Sequence, residues 1–190
     1  MRKIIVVARF VSMLFRPAYY PLAGGILLLT LTYLSMLPWQ FKTWMIAIIW
    51  LFTIMLPRLL VRTFPSFSSF SSFIRLLCSI ICFIFMKHYH LPAILCGVIF
   101  VYMLIQTVCM LIKTRADIST HSAGSGGLIG GLLVYSFLFG FNPLWWLCGC
   151  ILLSGVVMTS RMLLRRNTLW QVLGGTLVGV VCGYVGIMYA

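Results

Sequence analysis

Long apolar runs alternate with short polar segments along almost the whole chain. Each run is close to the ~20 residues that an α-helix needs to cross ~30 Å of hydrocarbon. Proline marks several of the breaks, at Pro38, Pro92 and Pro143, where it suits the first turn of a helix. The pattern predicts an all-α polytopic membrane protein, a bundle of about seven (six to seven) transmembrane helices. The predicted spans are 18–37, 43–62, 72–89, 91–112, 123–141, 143–163 and 168–189.

Composition supports this fold class. Of the 190 residues, 63% are hydrophobic and only 8% are charged, whereas soluble domains carry ~25% charged residues. The net charge of +13 would suggest nucleic acid in a soluble protein. In the loops of a membrane protein it instead favours anionic phospholipid headgroups as partners, and no nucleic acid. We interpret residues 1–190 as a single integral membrane domain, with an interfacial lead-in at 1–17.

The basic residues predict an orientation. With seven spans, the amino terminus and the loops at 62–75, 113–122 and 160–168 lie on one side of the membrane. That side receives all 14 Lys and Arg except Lys42 and Lys87. The positive-inside rule places it in the cytoplasm and the carboxyl terminus outside. We therefore expect several separated segments to meet in one polar pocket at the cytoplasmic surface.

Glycine recurs at four-residue intervals in two of the spans. The fifth span carries Gly126 with Gly130 and Gly127 with Gly131, and the seventh carries Gly175, Gly179 and Gly183. Small residues at this interval let helices approach closely in lipid, where van der Waals contact drives their association. The spacing predicts that the fifth and seventh spans pack against each other.

Metal and disulfide chemistry have no sequence signal. The seven cysteines lie in or beside apolar runs and lack CxxC or Cys/His zinc spacing, so we interpret them as packing residues. His88 and His90 have no carboxylate or cysteine nearby and are interpreted as interfacial polar tips. We expect no metal and no cofactor.

Two polar stretches interrupt this apolar background. Residues 117–131 hold the only acidic residue, Asp117, together with His121, just before a glycine-rich run. Asp117 could cap the following helix, pair with a basic residue, or activate water. Ser160 and Arg161 close the sixth span, and a guanidinium offers a fork of donors that matches phosphate.

These stretches carry a resemblance. The segment Ile118-Ser119-Thr120-His121-Ser122-Ala123 resembles the Pro-Ser-Gly-His motif of the type 2 phosphatidic acid phosphatase superfamily, the membrane relatives of vanadium haloperoxidases. Ser160-Arg161, five residues, Asn167, three residues and Gln171 is similar in register to that family's Ser-Arg-x5-His-x3-Asp motif. The wider pattern most resembles a bacterial branch. It implies a phosphatase-like helical core at 72–190 and a multi-pass protein of the bacterial inner membrane.

The resemblance also implies roles for individual residues. His121 matches the general acid, and Ser119 and Arg161 match phosphate-binding positions. Asn167 stands where the family has its nucleophilic histidine, and Gln171 stands where it has the orienting aspartate.

The family's first motif, Lys-x6-Arg-Pro, has no counterpart. Arg62 or Arg75 could replace its phosphate-binding residues, and Arg75 is favoured because it lies at the start of a span.

Three functions remain open from the sequence. The first is a lipid phosphatase that binds and hydrolyses a phospholipid or prenyl phosphate, such as phosphatidate, phosphatidylglycerophosphate or a prenyl diphosphate. The second is a catalytically inactive relative that binds a lipid headgroup or a partner protein, because the amide of Asn167 has no basic lone pair to attack phosphorus. The third is an unrelated small transporter or scaffold. Whether the protein is an enzyme is therefore left open.

Overall fold

The computed structural model describes residues 9, 12, 15, 17–31, 36–63, 71–113, 118–140 and 142–189. Within these ranges the chain is helical apart from short connections, and it contains no β-strand. After a 3-10 turn at Pro17–Tyr19 the α-helices are α1 Tyr20–Leu31, α2 Trp39–Trp50, α3 Leu56–Thr63, α4 Ser71–His88, α5 Ala93–Ile112, α6 Thr120–Phe139, α7 Leu144–Leu163 and α8 Leu169–Met188.

Within the described ranges, six helical segments are long and apolar enough to cross a membrane: Trp39–Thr63, Ser71–His88, Ala93–Lys113, Thr120–Phe139, Leu144–Leu163 and Leu169–Met188. The prediction of an all-α polytopic membrane protein is confirmed. The first predicted span, 18–37, is described as the 12-residue helix α1. At 1.5 Å per residue α1 is only ~18 Å long, and residues 32–35 lie outside the described part of the chain. Most of the predicted lead-in at 1–17 also lies outside it.

One span contains a wide turn. A π-helical segment, Leu51–Met55, joins α2 to α3 within Trp39–Thr63. Pro57 follows two residues later. It has no N–H to donate to the carbonyl four residues back, and its ring would clash with that carbonyl in a regular α-helix. Widening the preceding turn relieves this conflict, and such turns often occur at functional sites. Here Thr53, Ile54 and Pro57 all face the cavity described below.

The helices α6 and α8 pack backbone to backbone, which confirms the prediction from glycine spacing. A Cβ atom added at Gly130 would overlap the carbonyl oxygen of Val180, and one at Gly179 would overlap that of Ala123. Only glycine allows such contact, because any side chain would separate the helices. This close pair forms the centre of the carboxyl-terminal half of the bundle.

A second core joins the amino-terminal helices. Its largest buried side chains come from α1, α2, α4 and α5, and they form one apolar cluster: Leu29, Met45, Ile49, Cys82, Met86, Leu95, Cys96 and Ile99. Trp39, Trp44 and Trp145 are largely exposed. This exposure suits indole rings at the boundary between lipid and water.

Candidate functional site

A cavity of about 890 Å³ opens at one end of the bundle. It is lined by the π-helical segment, by α3, by the starts of α4 and α6, by the end of α7 and by the segment before α1. Six arginines line it: Arg9, Arg58, Arg62, Arg75, Arg161 and Arg166. His121, Thr120, Ser71 and Ser12 add further polar groups. We call this space the arginine cavity.

The arginine cavity brings together four of the residues proposed from the sequence. His121, Arg161 and Arg75 line it, and so does the alternative Arg62, although they lie on four different helices, α6, α7, α4 and α3. Ser119, Asn167 and Gln171 are not among its lining residues. Asp117 lies outside the described residues.

Sequence analysis does not assign three of the arginines in the cavity, Arg9, Arg58 and Arg166, to a site. Arg58 lies one helical turn before Arg62, so both project from the same face of α3. In the sequence alone Arg58 indicates only topology, and Arg62 is an alternative for the missing first motif. Their four-residue spacing just after a proline was the signal that could have identified them.

His121 lies in the first turn of α6 and is half-buried. Its Nδ1 is 2.8 Å from the carbonyl oxygen of Phe15. A carbonyl oxygen can only accept, so Nδ1 carries the proton. In neutral His121, Nε2 is therefore the nitrogen that holds the lone pair. The ring is anchored through Nδ1 while its side chain lines the cavity.

A chain of side-chain hydrogen bonds links the end of α7 to the start of α8. Arg161 Nε donates to Asn167 Oδ1 at 3.0 Å, and Asn167 Nδ2 donates to Gln171 Oε1 at 3.4 Å. The same Gln171 oxygen accepts from the backbone N–H of Thr168 at 3.0 Å. Gln171 thus serves as the third residue of a capping box. Asn167 orients the Arg161 guanidinium, and neither amide has to contact a ligand for this purpose.

Ser119 is buried where the start of α6 meets α8. It is 2% exposed, and its Oγ has no hydrogen-bond partner among the described residues. Its backbone N–H donates to the Gln171 carbonyl oxygen at 3.3 Å, and its own carbonyl accepts from Ser122 Oγ at 2.8 Å. Ser119 therefore fastens the start of α6 to α8. A direct contact with phosphate would require an opening from this buried position to the cavity.

Two arginines at the cavity are held by neighbouring groups. Arg58 Nη2 donates to the Tyr19 hydroxyl at 2.9 Å, and its guanidinium carbon lies 5.6 Å from the centre of the Tyr19 ring. Arg75 Nε donates to the Ser71 carbonyl oxygen at 3.2 Å. These contacts leave other guanidinium N–H groups in each side chain that can donate to an anion.

The described ranges contain no Asp or Glu. The single acidic residue of the chain, Asp117, could neutralise at most one of the six arginines. The described residues also contain no group of three or more His, Cys, Asp or Glu side chains that could hold a metal ion. The arginine cavity is chemically an anion site with uncompensated positive charge.

No protein-family model, curated protein or solved structure matches the chain. The resemblance to lipid phosphatases therefore depends on the motif residues and their spacing.

Proposed function

We propose that this protein binds the phosphate group of an anionic membrane lipid in the arginine cavity, without transferring that phosphate to a histidine. The observation that carries the proposal is the convergence of six arginines and His121 on one cavity in a chain with a single acidic side chain. We also propose that the protein is a relative of the type 2 phosphatidic acid phosphatase superfamily.

Charge and location together favour a lipid phosphate. Guanidinium groups bind phosphate through short, charge-assisted hydrogen bonds. The chain has one acidic side chain against 14 Lys and Arg, so most of the negative charge that balances the cavity has to come from another molecule. The cavity lies at the ends of membrane-spanning helices, the depth at which phospholipid headgroups are found. A phosphate attached to a lipid would reach it without leaving the membrane.

The half of the motif that should attack phosphorus argues against hydrolysis. Asn167 offers an amide in place of an imidazole, and both ends of this amide are hydrogen bonded, to Arg161 and Gln171. It has no basic nitrogen with which to form a covalent phosphoryl intermediate. The hydrogen bonds of Asn167 hold Arg161 in its orientation, but the amide offers no nucleophile.

Hydrolysis remains the second candidate, because His121 lines the same cavity and its ring is anchored at Nδ1. An anchored imidazole beside a bound phosphate ester is suited to general acid–base chemistry. This candidate requires a nucleophile other than residue 167, such as water.

We propose the bacterial inner membrane as the location, with the arginine cavity on the cytoplasmic face and the carboxyl terminus outside. The support is the basic-residue distribution, in which only Lys42 and Lys87 fall on the other side. An Arg115→Cys variant in intact cells should react with a membrane-impermeant maleimide only after permeabilisation, above the background of the unaltered chain. Labelling before permeabilisation would reverse the orientation.

The test of function compares Arg161→Gln with Arg165→Gln in purified protein. Arg165 is an exposed residue near the same end of α7 and does not line the cavity. Ligands are phosphatidate, lysophosphatidate and farnesyl diphosphate, each paired with its dephosphorylated alcohol. One lost charge-assisted hydrogen bond costs ~1.5–3 kcal/mol, so Arg161→Gln should weaken phosphate-ligand binding by about 10- to 150-fold. Arg165→Gln should bind like the unaltered chain.

Three results decide between the candidates. Equal affinity for phosphates and their alcohols would refute phosphate recognition. Phosphate release by the unaltered chain, lost in Arg161→Gln and in His121→Gln, would favour hydrolysis. Release that appears only after Asn167→His would support loss of the nucleophile as the reason for inactivity.

A further inference from the structure

A narrow apolar groove runs along α6 on the side that faces α1 and α5. Its floor includes Gly124, Gly127, Leu128 and Gly131 of α6. Its walls come from α1 and α5, and one end reaches Ile187 of α8. The lining is almost entirely apolar.

The groove begins where the arginine cavity ends. Pro17 and Thr120 line both spaces. Tyr20 lies at the same end of the groove, with its ring packed against Gly124. The two spaces are therefore adjacent, so that a cluster of arginines lies beside an apolar groove.

The groove has the length of one lipid hydrocarbon chain. Its volume is only about 50 Å³, so the groove is narrow. From Thr120 to Leu132 it follows twelve residues of α6, ~18 Å at 1.5 Å per residue. Half of a ~30 Å hydrocarbon layer is ~15 Å, so one chain from one leaflet can lie along its length.

We propose that the groove seats one linear apolar chain of a lipid whose phosphate occupies the arginine cavity, so that the preferred ligand is a single-chain lipid phosphate. This inference rests on the proposed function. The negatively charged phosphate complements the arginines of the cavity, and the hydrocarbon chain contacts the apolar residues of the groove. The groove accommodates one chain, so in this proposal a second chain of the same lipid would stay in the surrounding bilayer.

The experiment varies the chain number at constant headgroup chemistry. The ligands are glycerol 3-phosphate, 1-oleoyl lysophosphatidate and dioleoyl phosphatidate, with monooleoylglycerol as the same single chain without phosphate. Binding to the purified full-length protein is measured in maltoside micelles. We expect lysophosphatidate to bind at least tenfold more tightly than glycerol 3-phosphate, and phosphatidate to bind no more tightly than lysophosphatidate.

Groove-filling variants test the location. Leu128→Trp fills the floor from α6, and Leu27→Trp fills it from α1, so one can replace the other if a variant does not fold. Leu133→Trp is the matched control, because Leu133 lies on α6 but is exposed on the outside of the bundle. Leu128→Trp or Leu27→Trp should weaken lysophosphatidate binding at least tenfold and leave glycerol 3-phosphate within twofold. Leu133→Trp should change neither.

The outcomes separate this inference from the function on which it rests. If glycerol 3-phosphate and lysophosphatidate bind equally, or if the folded groove variants bind lysophosphatidate normally, the chain site is refuted while phosphate binding stands. Monooleoylglycerol binding with the same affinity and the same sensitivity to Leu128→Trp would mean that the groove holds any bilayer lipid. Phosphatidate binding tenfold more tightly than lysophosphatidate would refute the single-chain preference. Failure of every phosphate ligand to bind would overturn both proposals.

Discussion

The contact between Gly130 and the backbone of Val180 can be tested by adding one methyl group. In Gly130→Ala the new Cβ would lie 2.9 Å from the Val180 carbonyl carbon and would overlap its oxygen. Carbon atoms normally pack at ~3.5–4.0 Å, so α6 and α8 would have to separate by roughly 1 Å. Overpacking of this kind costs ~1–3 kcal/mol. Alanine also favours the helix over glycine by ~0.5–1 kcal/mol, which partly offsets that cost.

The variant Gly174→Ala isolates the packing cost. Gly174 lies on α8, and a Cβ added there would meet nothing within 4 Å. Both variants gain the same helical preference, but only Gly130→Ala disturbs a contact. The difference between their free energies of unfolding should therefore equal the packing cost, ~1–3 kcal/mol, which is a factor of about 5 to 150 in the unfolding equilibrium.

The assay is reversible unfolding of the purified protein in dodecyl maltoside, titrated with sodium dodecyl sulfate and followed by far-ultraviolet circular dichroism. Gly174→Ala should be as stable as the unaltered chain or more stable, and Gly130→Ala should unfold at a lower detergent ratio than Gly174→Ala. If Gly130→Ala proves as stable as Gly174→Ala, the helices do not make the close contact described here.

Three other outcomes follow from the structure. Gln171→Leu removes the acceptor for the Thr168 backbone N–H, and the lost cap should reduce the free energy of unfolding by ~1 kcal/mol, whereas Gln171→Glu should retain most of it in the same titration. Ser125→Ala and Ser154→Ala should each reduce the free energy of unfolding by ~0.6 kcal/mol, and the double variant by less than the sum, because the two hydroxyls share one hydrogen bond of 3.0 Å. The affinity for glycerol 3-phosphate, measured by calorimetric titration, should fall steadily as sodium chloride is raised from about 0.05 to about 0.5 M, because the Debye length shortens and the charges are screened. An affinity that is independent of salt would contradict a site dominated by arginines.

Features that repeat along the sequence were predictable. Apolar runs of membrane length predicted the helices, because a segment in lipid must satisfy its backbone N–H and C=O groups with hydrogen bonds of its own, as an α-helix does. Glycine spacing predicted the α6–α8 contact, because small residues four apart form one flat face. The first span was harder, since its described helix, α1, is shorter than the apolar run from which it was predicted.

The candidate site was only partly predictable, because its membership depends on how each helix is rotated. His121 and Ser119 are two residues apart, yet His121 lines the cavity and Ser119 is buried against α8. Arg58 and Arg165 look alike in the sequence as basic residues at helix ends. Arg58 nevertheless lines the cavity and Arg165 does not, and Arg58 follows the wide turn at Leu51–Met55, a feature that the sequence pattern did not predict.

Under the proposed relationship to the lipid phosphatases, the contacts of Asn167 show how a phosphate-binding site could persist without a nucleophile at residue 167. Its amide oxygen accepts from Arg161 while its amide nitrogen donates to Gln171, so one side chain satisfies a donor on one helix and an acceptor on the next. An amide can fill both roles at once, and neutral imidazole can do so only in one tautomer. Gln171 in turn caps α8 through Thr168, a role that does not require a carboxylate. Asn167 and Gln171 therefore keep Arg161 oriented and the start of α8 capped. In the proposed function this arrangement suits phosphate binding and offers no nucleophile at residue 167.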